Sequence, residues 1–314
     1  MRKSGVQNEF ANGCAVVSHT QNAREAIALF IRNHLSAQGA RVMVPAYFGY
    51  SPREGSGVID PLISVSAEVI LYRVTRDLQV DVQDFKDKLT MTSPDVVLLI
   101  HYFGWPDRNV EQLCRLAREE GALVLEDEAH SLLSHFIGGA TGLLGDASAI
   151  SVHKSLPMLG GLLIENHSHC RQNGKDREAR IAVTAGPAIA RFDLAGLARS
   201  HIANAKKILD LIADTPAPMR PLWTEIPDGV VPLSLAVLVP PALRQHVYES
   251  MNAAEYPVVC LYYRLGPGID KVSYPESWWL SERLVNLPLG ILPSAQSQVG
   301  MVRTLEKVLL DAEL

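Results

Sequence analysis

Between Ala122 and Gly161 the chain sets an acid, an imidazole, a hydroxyl and an amine at the ends of apolar strands. The apolar run Leu123–Leu125 ends in Glu126-Asp127-Glu128-Ala129-His130. Gly145-Asp146 follows, and Ser151-Val152-His153-Lys154 closes the next apolar stretch, Ala147–Val152. All of this fits within about one βαβ-sized unit. Short strands of this kind must be buried, and their polar tips must then open on one common site.

The same alternation runs through the first half of the chain. Residues 22–35 read as an amphipathic helix, with Ala26, Ile27, Phe30, Ile31 and Leu35 on one face. Arg41–Pro45, Val69–Tyr72 and Val96–Ile100 read as strands, the last apolar throughout, as in a strand covered on both faces. Asn109–Glu120 reads as a helix that turns Val110, Leu113, Leu116 and Ala117 to a sheet, with Gly121 as its C-cap. Leu162–Ile164 has strand length. The expected fold class is α/β, with a mostly parallel sheet whose ligand sits at the carboxyl ends of the strands.

The pattern changes after residue 165. His167–Glu178 is polar and reads as a surface loop, and Leu197–Ala213 reads as a long helix. Thr215-Pro216-Ala217-Pro218 stops that helix. An apolar strand (Val230–Val239), a helix (Pro241–Ala253), short strands around Val258–Cys260 and Leu284–Leu287, and a last helix (Ala295–Asp311) complete a smaller α+β unit. The expected division is a large α/β domain over 1–196 and a small domain over 197–314, with Leu197–Ala213 as the connector.

Composition narrows the classes of partner. With 47% hydrophobic and 20% charged residues, the 314-residue chain can build a sizeable core. A formal net charge of −5 and the lack of a basic tract argue against nucleic acid or an anionic membrane as partner. The longest apolar runs are too short to cross a bilayer. Cys14, Cys114, Cys170 and Cys260 show no CxxC and no metal-ligand spacing, so they read as reduced thiols of a cytoplasmic protein. Met1-Arg2-Lys3-Ser4-Gly5 leads into polar residues, and no signal peptide is expected.

The polar strand tips suit one cofactor in particular, pyridoxal phosphate (PLP): cationic at a ring nitrogen, anionic at a phosphate, and an aldehyde between. Asp127 is the candidate partner of the ring nitrogen, which a carboxylate keeps protonated so that the ring can accept electrons. The alternative is a solvated loop acid, but strand alternation points Asp127 away from Glu126 and Glu128. Lys154 is the candidate Schiff-base lysine, with His153 beside it to lower its pKa, and Ser151 is a candidate phosphate ligand. Alone, Ser-x-x-Lys is a common chance match. His130 can contact the ring, or can be an ordinary loop histidine. His101 and Tyr102, after the Val96–Ile100 strand, are candidates for the pocket rim. The helix start at Asn22-Ala23-Arg24 is a candidate phosphate seat, with Ala23 and Arg24 as its ligands. Tyr47 and Phe48 are candidate aromatic contacts, for which core packing is an equal account.

The order of these motifs resembles the DegT/DnrJ/EryC1/StrS family of PLP-dependent sugar aminotransferases. Asn22-Ala23-Arg24-Glu25-Ala26-Ile27 stands where the family has SGT/SGR-x-AL, and Val44-Pro45-Ala46-Tyr47 resembles its V-P-x-Y/F. His101-Tyr102-Phe103-Gly104-Trp105-Pro106 is similar to H-x-[YF]-G-x-P, and Glu126 to His130 is similar to E-D-x-A-[QH]. Gly142-x-x-Gly145-Asp146, Ser151 to Lys154 ending in Gly160-Gly161, and Asn286-Leu287-Pro288-Leu289 complete the series. The departures are specific. The usual family spacing puts lysine five after the serine, where this chain has Leu156, and its own lysine is at plus three. Asn22-Ala23 replaces Ser-Gly, and no G-Y-N-x-R-like segment is present, a loop that in the family reaches the neighbouring subunit's cofactor.

The resemblance implies the type I aminotransferase fold and a homodimer. It implies that Asp127 pairs with the pyridinium, His130 contacts the ring, Ser151 binds phosphate and Lys154 is the Schiff-base lysine and proton shuttle. It also implies amino transfer, from glutamate, to a keto sugar that is nucleotide-linked, for surface polysaccharide or secondary-metabolite biosynthesis. The departures keep two alternatives open. One is an inactive family member acting as a binding or regulatory protein. The other is a non-transaminating PLP enzyme such as a sugar dehydratase, where the family lysine is typically histidine and His153 is the candidate.

Overall fold

Val96–Ile100 forms β5, a strand near the middle of an eight-stranded sheet in a computed structural model that describes residues 8–11, 15–35, 39–166, 186–290, 292 and 297–312. The other strands are β1 (Asn8–Ala11), β2 (Ala15–Thr20), β3 (Arg41–Pro45), β4 (Glu68–Tyr72), β6 (Leu123–Glu128), β7 (Ala147–Ser151) and β8 (Gly161–Asn166), in the order β1-β2-β8-β7-β6-β5-β3-β4. From β4 to β7 all pairings are parallel, whereas β8 runs antiparallel to both β7 and β2. The link between β7 and β8, residues 152–160, is too short for a crossover helix, so β8 must return antiparallel.

Apolar side chains leave both faces of the central strands, and a helical layer covers each face. Leu98, Leu125, Ala149 and Leu163 pack against Ala26, Ile27, Phe30 and Ile31 of α1 (Ala23–His34) and Ile59 and Leu62 of α2 (Ile59–Ser64). Val97, Leu99 and Val124 point the other way, onto Phe85 and Leu89 of α3 (Val82–Thr92) and Leu113, Cys114 and Ala117 of α4 (Val110–Glu119). The sequence expectation of an α/β fold with a mostly parallel sheet holds. β1, β2, α2 and α3 lay outside it: α3 fully buries only Phe85 and Leu89, with Val82 partly covered, too sparse a stripe to read, although Asp81 caps it by accepting from the Gln83 and Asp84 N–H groups.

A short helix, α5 (Gly186–Ile189), precedes α6 (Leu194–Ala213), whose start is fixed by Asp193 accepting from the Gly196 N–H at 2.7 Å. The boundary drawn at 196/197 therefore falls inside α6. Beyond it lie β9 (Arg220–Pro221), β10 (Ser234–Leu238), α7 (Arg244–Ala253), α8 (Pro275–Ser281), β11 (Leu284–Pro288) and α9 (Gln298–Asp311), with the strands in the antiparallel order β11-β10-β9. The strand expected over Val230–Val239 is shortened at its start, where Val231 exchanges hydrogen bonds with the Ser134 hydroxyl instead and Pro232 has no N–H to offer. The strand expected around Val258–Cys260 is a single bridge, Val259 to Asn286. The polar loop over 167–178 and the start of the last helix at Ala295 lie outside the described residues.

The seam between the two sheets is tight. Tyr47, Tyr102, Phe103 and Trp105, at the ends of β3 and β5, belong to the same apolar cluster as β10, β11, α7 and α9. Leu233 N–H donates to Phe103 O at 2.7 Å, and Gly104, at φ +96°, lets Val231 O approach to where a Cβ would stand only 2.7 Å away. Gly121 also has positive φ, +80°, but no atom lies within 4 Å of its Cβ position. Gly121→Ala is expected to cost about 1 kcal/mol, the conformational penalty alone. Gly104→Ala adds a backbone collision and is expected to cost more than about 2 kcal/mol. Urea unfolding of both variants measures the difference, and equal losses would refute the packing account of the seam.

Candidate active site

Strand β6 carries three successive acids, and its pleat separates their roles. Glu126 and Glu128 share one face. Glu126 is fully buried and accepts from His101 Nε2 at 2.6 Å and from the N–H groups of Gly142, Leu144 and Gly145 at 2.9, 3.1 and 2.5 Å. Glu128 accepts from His135 Nδ1 at 3.0 Å and from the Thr141 hydroxyl. These two carboxylates tie the loop 141–145 to the strand. The G-x-x-G spacing has a steric reason: a Cβ on Gly142 would stand 2.4 Å from Glu128 Oε1, and one on Gly145 would stand 2.9 Å from Glu126 Cγ.

Asp127 faces the other way, at a relative exposure of 6%. Its Oδ1 accepts from the Ala129 N–H at 2.9 Å, and it has no ion pair among the described residues. Burial pushes its pKa up to about 6, opposed by the Ala129 hydrogen bond and the charge of His101. A carboxylate in this state is poised for a cationic partner supplied from outside the chain.

A second group assembles at the neighbouring strand ends. Ser151 closes β7 and pairs with Gly161, which opens β8 and pairs in turn with Thr20 at the end of β2. Gly161 lies against the start of α1: a Cβ there would be 2.4 Å from the Asn22 carbonyl carbon. Ser151 and the helix start therefore meet at one glycine. Asn22 caps the helix by accepting from the Glu25 N–H at 3.0 Å, and the N–H groups of Ala23 and Arg24 fall in the first turn, outside the helix ladder. The Ser151 hydroxyl is 3.0 Å from His153 Nδ1. Burial, then the charges of Lys154 and Arg24, hold His153 below the usual imidazole pKa. Hydroxyl, imidazole and helix N-terminus meet at these strand ends, and the Arg24 guanidinium, which lies 3.8 Å from Asp60, adds positive charge to a corner whose chemistry suits an anion.

Lys154 is exposed on the turn after β7. Its charge reaches His130, whose pKa is pushed down to about 3, first by burial and then by Lys154. His130 is nearly buried and lies parallel to Phe103, with ring centroids 5.8 Å apart. Leu156, at serine plus five, is packed with Leu132, Phe136, Val152 and Ile164 in the core. Lys154 thus shares a side of the sheet edge with His130, His153 and Ser151.

Four sequence candidates sit elsewhere than the pocket surface. Phe48 is buried between the sheet and α1, and Tyr47 is buried in the cluster shared with β10 and β11. His101 is 1% exposed and held by Glu126, and Tyr102 is buried with its hydroxyl donating to Tyr47 O at 2.6 Å. All four follow strand ends, but their side chains turn into the packing layer.

One residue electrostatically linked to Asp127 had no sequence signal. Tyr262, at φ +62°, enters from the segment before β11 and packs on Tyr47, Tyr102 and Phe103 at centroid distances of 5.4, 6.1 and 6.3 Å. Gly49 makes room for it, since a Cβ there would stand 2.8 Å from the Tyr262 ring. Burial and, after it, the charge of Asp127 raise its phenol pKa.

The residues present suit PLP in kind: a buried acid without an ion pair among the described residues for the ring nitrogen, a hydroxyl and a helix start for the phosphate, and an amine on the turn after β7. The fold matches that of known PLP-binding proteins. It is similar to a Streptococcus pneumoniae protein described as a sugar aminotransferase, in its PLP form, at TM-score 0.78 and 14% identity over 98% of this chain and 94% of that one. It is also similar to Helicobacter pylori PseC, an aminotransferase involved in the biosynthesis of pseudoaminic acid, at TM-score 0.72 and 15% identity over 95% and 88%. An E. coli GDP-4-keto-6-deoxy-D-mannose-3-dehydratase with bound hydrated PLP matches at TM-score 0.70 and 15% identity over 95% and 88%. No curated protein sequence matches the chain. Residues 9–170, more than half of the chain and the part that holds Asp127, His130, Ser151 and Lys154, match a single family of PLP-dependent enzymes. The chain belongs to the DegT/DnrJ/EryC1/StrS aminotransferase family.

Proposed function

We propose that this protein moves an amino group from glutamate to the keto carbon of a nucleotide-linked sugar, for surface polysaccharide or secondary-metabolite biosynthesis. The observation that carries the reading is Asp127, a buried carboxylate with no ion pair among the described residues, one strand away from Ser151 and Lys154. PLP, when bound, supplies an aldehyde for an amine and a ring that takes up electron density from the substrate carbon. Asp127 holds a proton on the ring nitrogen. Ser151, His153 and the first-turn N–H groups of α1 hold the phosphate, and Arg24 adds charge to that corner. His130, kept neutral by burial, contacts the ring without competing for the proton on its nitrogen. Lys154 Nζ, as the free amine, takes the proton from the substrate carbon and returns it at the new one.

The dehydratase likeness and His153 next to Lys154 support a second reading, loss of a hydroxyl rather than transfer of an amine. Lys154 favours transfer, because the resemblance implies a histidine in place of the lysine for a dehydratase, and this chain keeps a lysine beside His153. The reading includes a cytoplasmic homodimer and two domains joined through α6. No described helix is long and apolar enough to cross a membrane.

The purified protein with PLP is expected to be yellow and to lose its colour with glutamate. Lys154→Ala should abolish cofactor fixation by borohydride and lower amine transfer at least a hundredfold, on the order of what a lost proton shuttle costs. A fixed label on any other lysine, located by peptide mass, would remove Lys154 from the mechanism. Keto-sugar screening with product analysis separates an aminated from a deoxygenated product.

The pH dependence follows from Asp127. Its folded pKa, about 6, is above its ordinary value, so ionised Asp127 costs stability in the free protein as pH rises from about 4 to 6. A ring cation binds only the ionised form. Affinity for PLP is therefore expected to fall as pH drops through about 6, and Asp127→Asn should remove that component while keeping the titration of the phosphate itself. Identical pH profiles for wild type and Asp127→Asn would defeat the assignment.

A further inference from the structure

Behind the site, between the ends of β3 to β5 and the loop before α4, lies a cavity with ≈ 10 Å³ for the centre of a water molecule, lined by Pro45, Tyr72, Leu99, His101, Trp105 and Asp107 among others. That is room for about one water. Two of the lining groups, His101 Nδ1 and Trp105 Nε1, are buried and have no hydrogen-bond partner among the described residues. Trp105 is fixed by its packing on Trp223, with centroids 4.9 Å apart, and His101 by its other nitrogen, 2.6 Å from Glu126 Oε2. The acid at the cavity, Asp107, accepts from the N–H groups of Val80 and Asn109, at 2.5 and 2.7 Å, one on each oxygen. Each carboxylate oxygen can accept a further bond.

We infer that this cavity binds a single water, which accepts from His101 Nδ1 and Trp105 Nε1 and donates to the Asp107 carboxylate. Asp107 and Trp105 are then positioning residues. Through the water they hold His101 with both ring nitrogens donating, as an imidazolium clamped between Glu126 and the cavity. The titratable groups facing that ring are Glu126, Asp127 and Glu128 on β6, Asp107, and the phenols of Tyr72 and Tyr102. Burial lowers the His101 pKa, but the Glu126 hydrogen bond and the three β6 carboxylates outweigh it and leave the pKa above the usual imidazole value. The cation stands behind the β6 tip, where the His101 backbone N–H donates to the Asp127 backbone carbonyl at 3.1 Å, and its charge favours ionised Asp127.

The link to Asp127 rests on the proposed role of that residue, whereas the state of His101 does not. Nitrogen-15 spectra of histidine-labelled protein, with and without PLP, read the state of His101 directly, with His101→Gln assigning the signals. Both ring nitrogens are expected to be protonated at neutral pH. Asp107→Asn should lower the His101 pKa by about one unit or more and shift the midpoint for PLP binding to higher pH. A wild-type Nδ1 without a proton overturns the proposal. So does a crystal structure at about 2 Å or better with no ordered water between these groups. Should Asp107→Asn fail to fold, Trp105→Phe keeps every charge: it is expected to leave His101 doubly protonated and to speed exchange of the Nδ1 proton at least severalfold, and an unchanged exchange rate counts against the water. A protonated His101 with an unmoved PLP midpoint in Asp107→Asn keeps the water site and overturns the positioning of Asp127.

Discussion

The structure depends on a carboxylate that never meets the ligand. Glu126 lies in the core, its pKa held below the usual carboxylate range by the His101 hydrogen bond and charge and by the Gly145 and Gly142 N–H groups, against the opposing effect of burial. Taking such a charge out of water costs several kcal/mol, on the order that only a full set of partners offsets. Glu126 has that set: an imidazole and the N–H groups of Gly142, Leu144 and Gly145. Because the strand alternates, fixing Glu126 also fixes the opposite direction of Asp127. Glu128 repeats the arrangement with His135 and Thr141, so the strand tip is pinned on both sides of the residue that faces the site.

The second constraint is the seam between the sheets. Phe103 and Tyr262 both take left-handed backbone conformations, at φ +58° and +62°, and neither is glycine. Each costs about 1–3 kcal/mol. Phe103 is held there by the Leu233 N–H on its carbonyl, and Tyr262 by the contact with Gly49 and the flanking bridges from Tyr50 N–H to Arg264 O and from Gly266 N–H to Phe48 O. The two rings lie 25° from parallel, and His130 lies 22° from parallel to Phe103 on the other contact. Strain is placed at the seam, where Phe103 from the first unit and Tyr262 from the C-terminal unit pack ring against ring.

What was legible in the sequence follows from this division. The strand tips could be read because apolar runs and polar ends alternate at strand length, and the opposite facing of Asp127 from its neighbours follows from the pleat alone. Helix α1 could be read because its apolar stripe is dense and Asn22 caps it. The roles of Glu126 and Glu128 could not, since their partners come from separate segments: His101 from 25 residues upstream, His135 from the next turn, and the loop 141–145 from beyond it. Tyr47 and Phe48 illustrate the limit most clearly. They follow a strand end as site residues do, but Gly266 and the C-terminal cluster close over them, and nothing local announces that cover. Tyr262 is the converse case: its approach to Tyr47, Tyr102 and Phe103 depends on Gly49, a glycine in a distant segment.

The shifted lysine shows how far local geometry decides function. After β7 the chain makes one helical turn, with Leu156 N–H donating to Val152 O at 2.9 Å. Residues four apart in such a turn share a side. Val152 and Leu156 are both buried in the cluster with Leu132, Phe136 and Ile164, while His153 and Lys154 fall on the open side. An ammonium at position 156 would enter that apolar cluster without an acid to meet it, a cost of several kcal/mol, on the order expected for an unpaired buried charge. Position 154 spares the core and leaves the amine on the open side, where its charge acts on His153 and His130. Moving the lysine by two positions therefore changes the side of the turn from which it enters. In this chain the turn geometry favours Lys154 over residue 156 as the place for a charged amine.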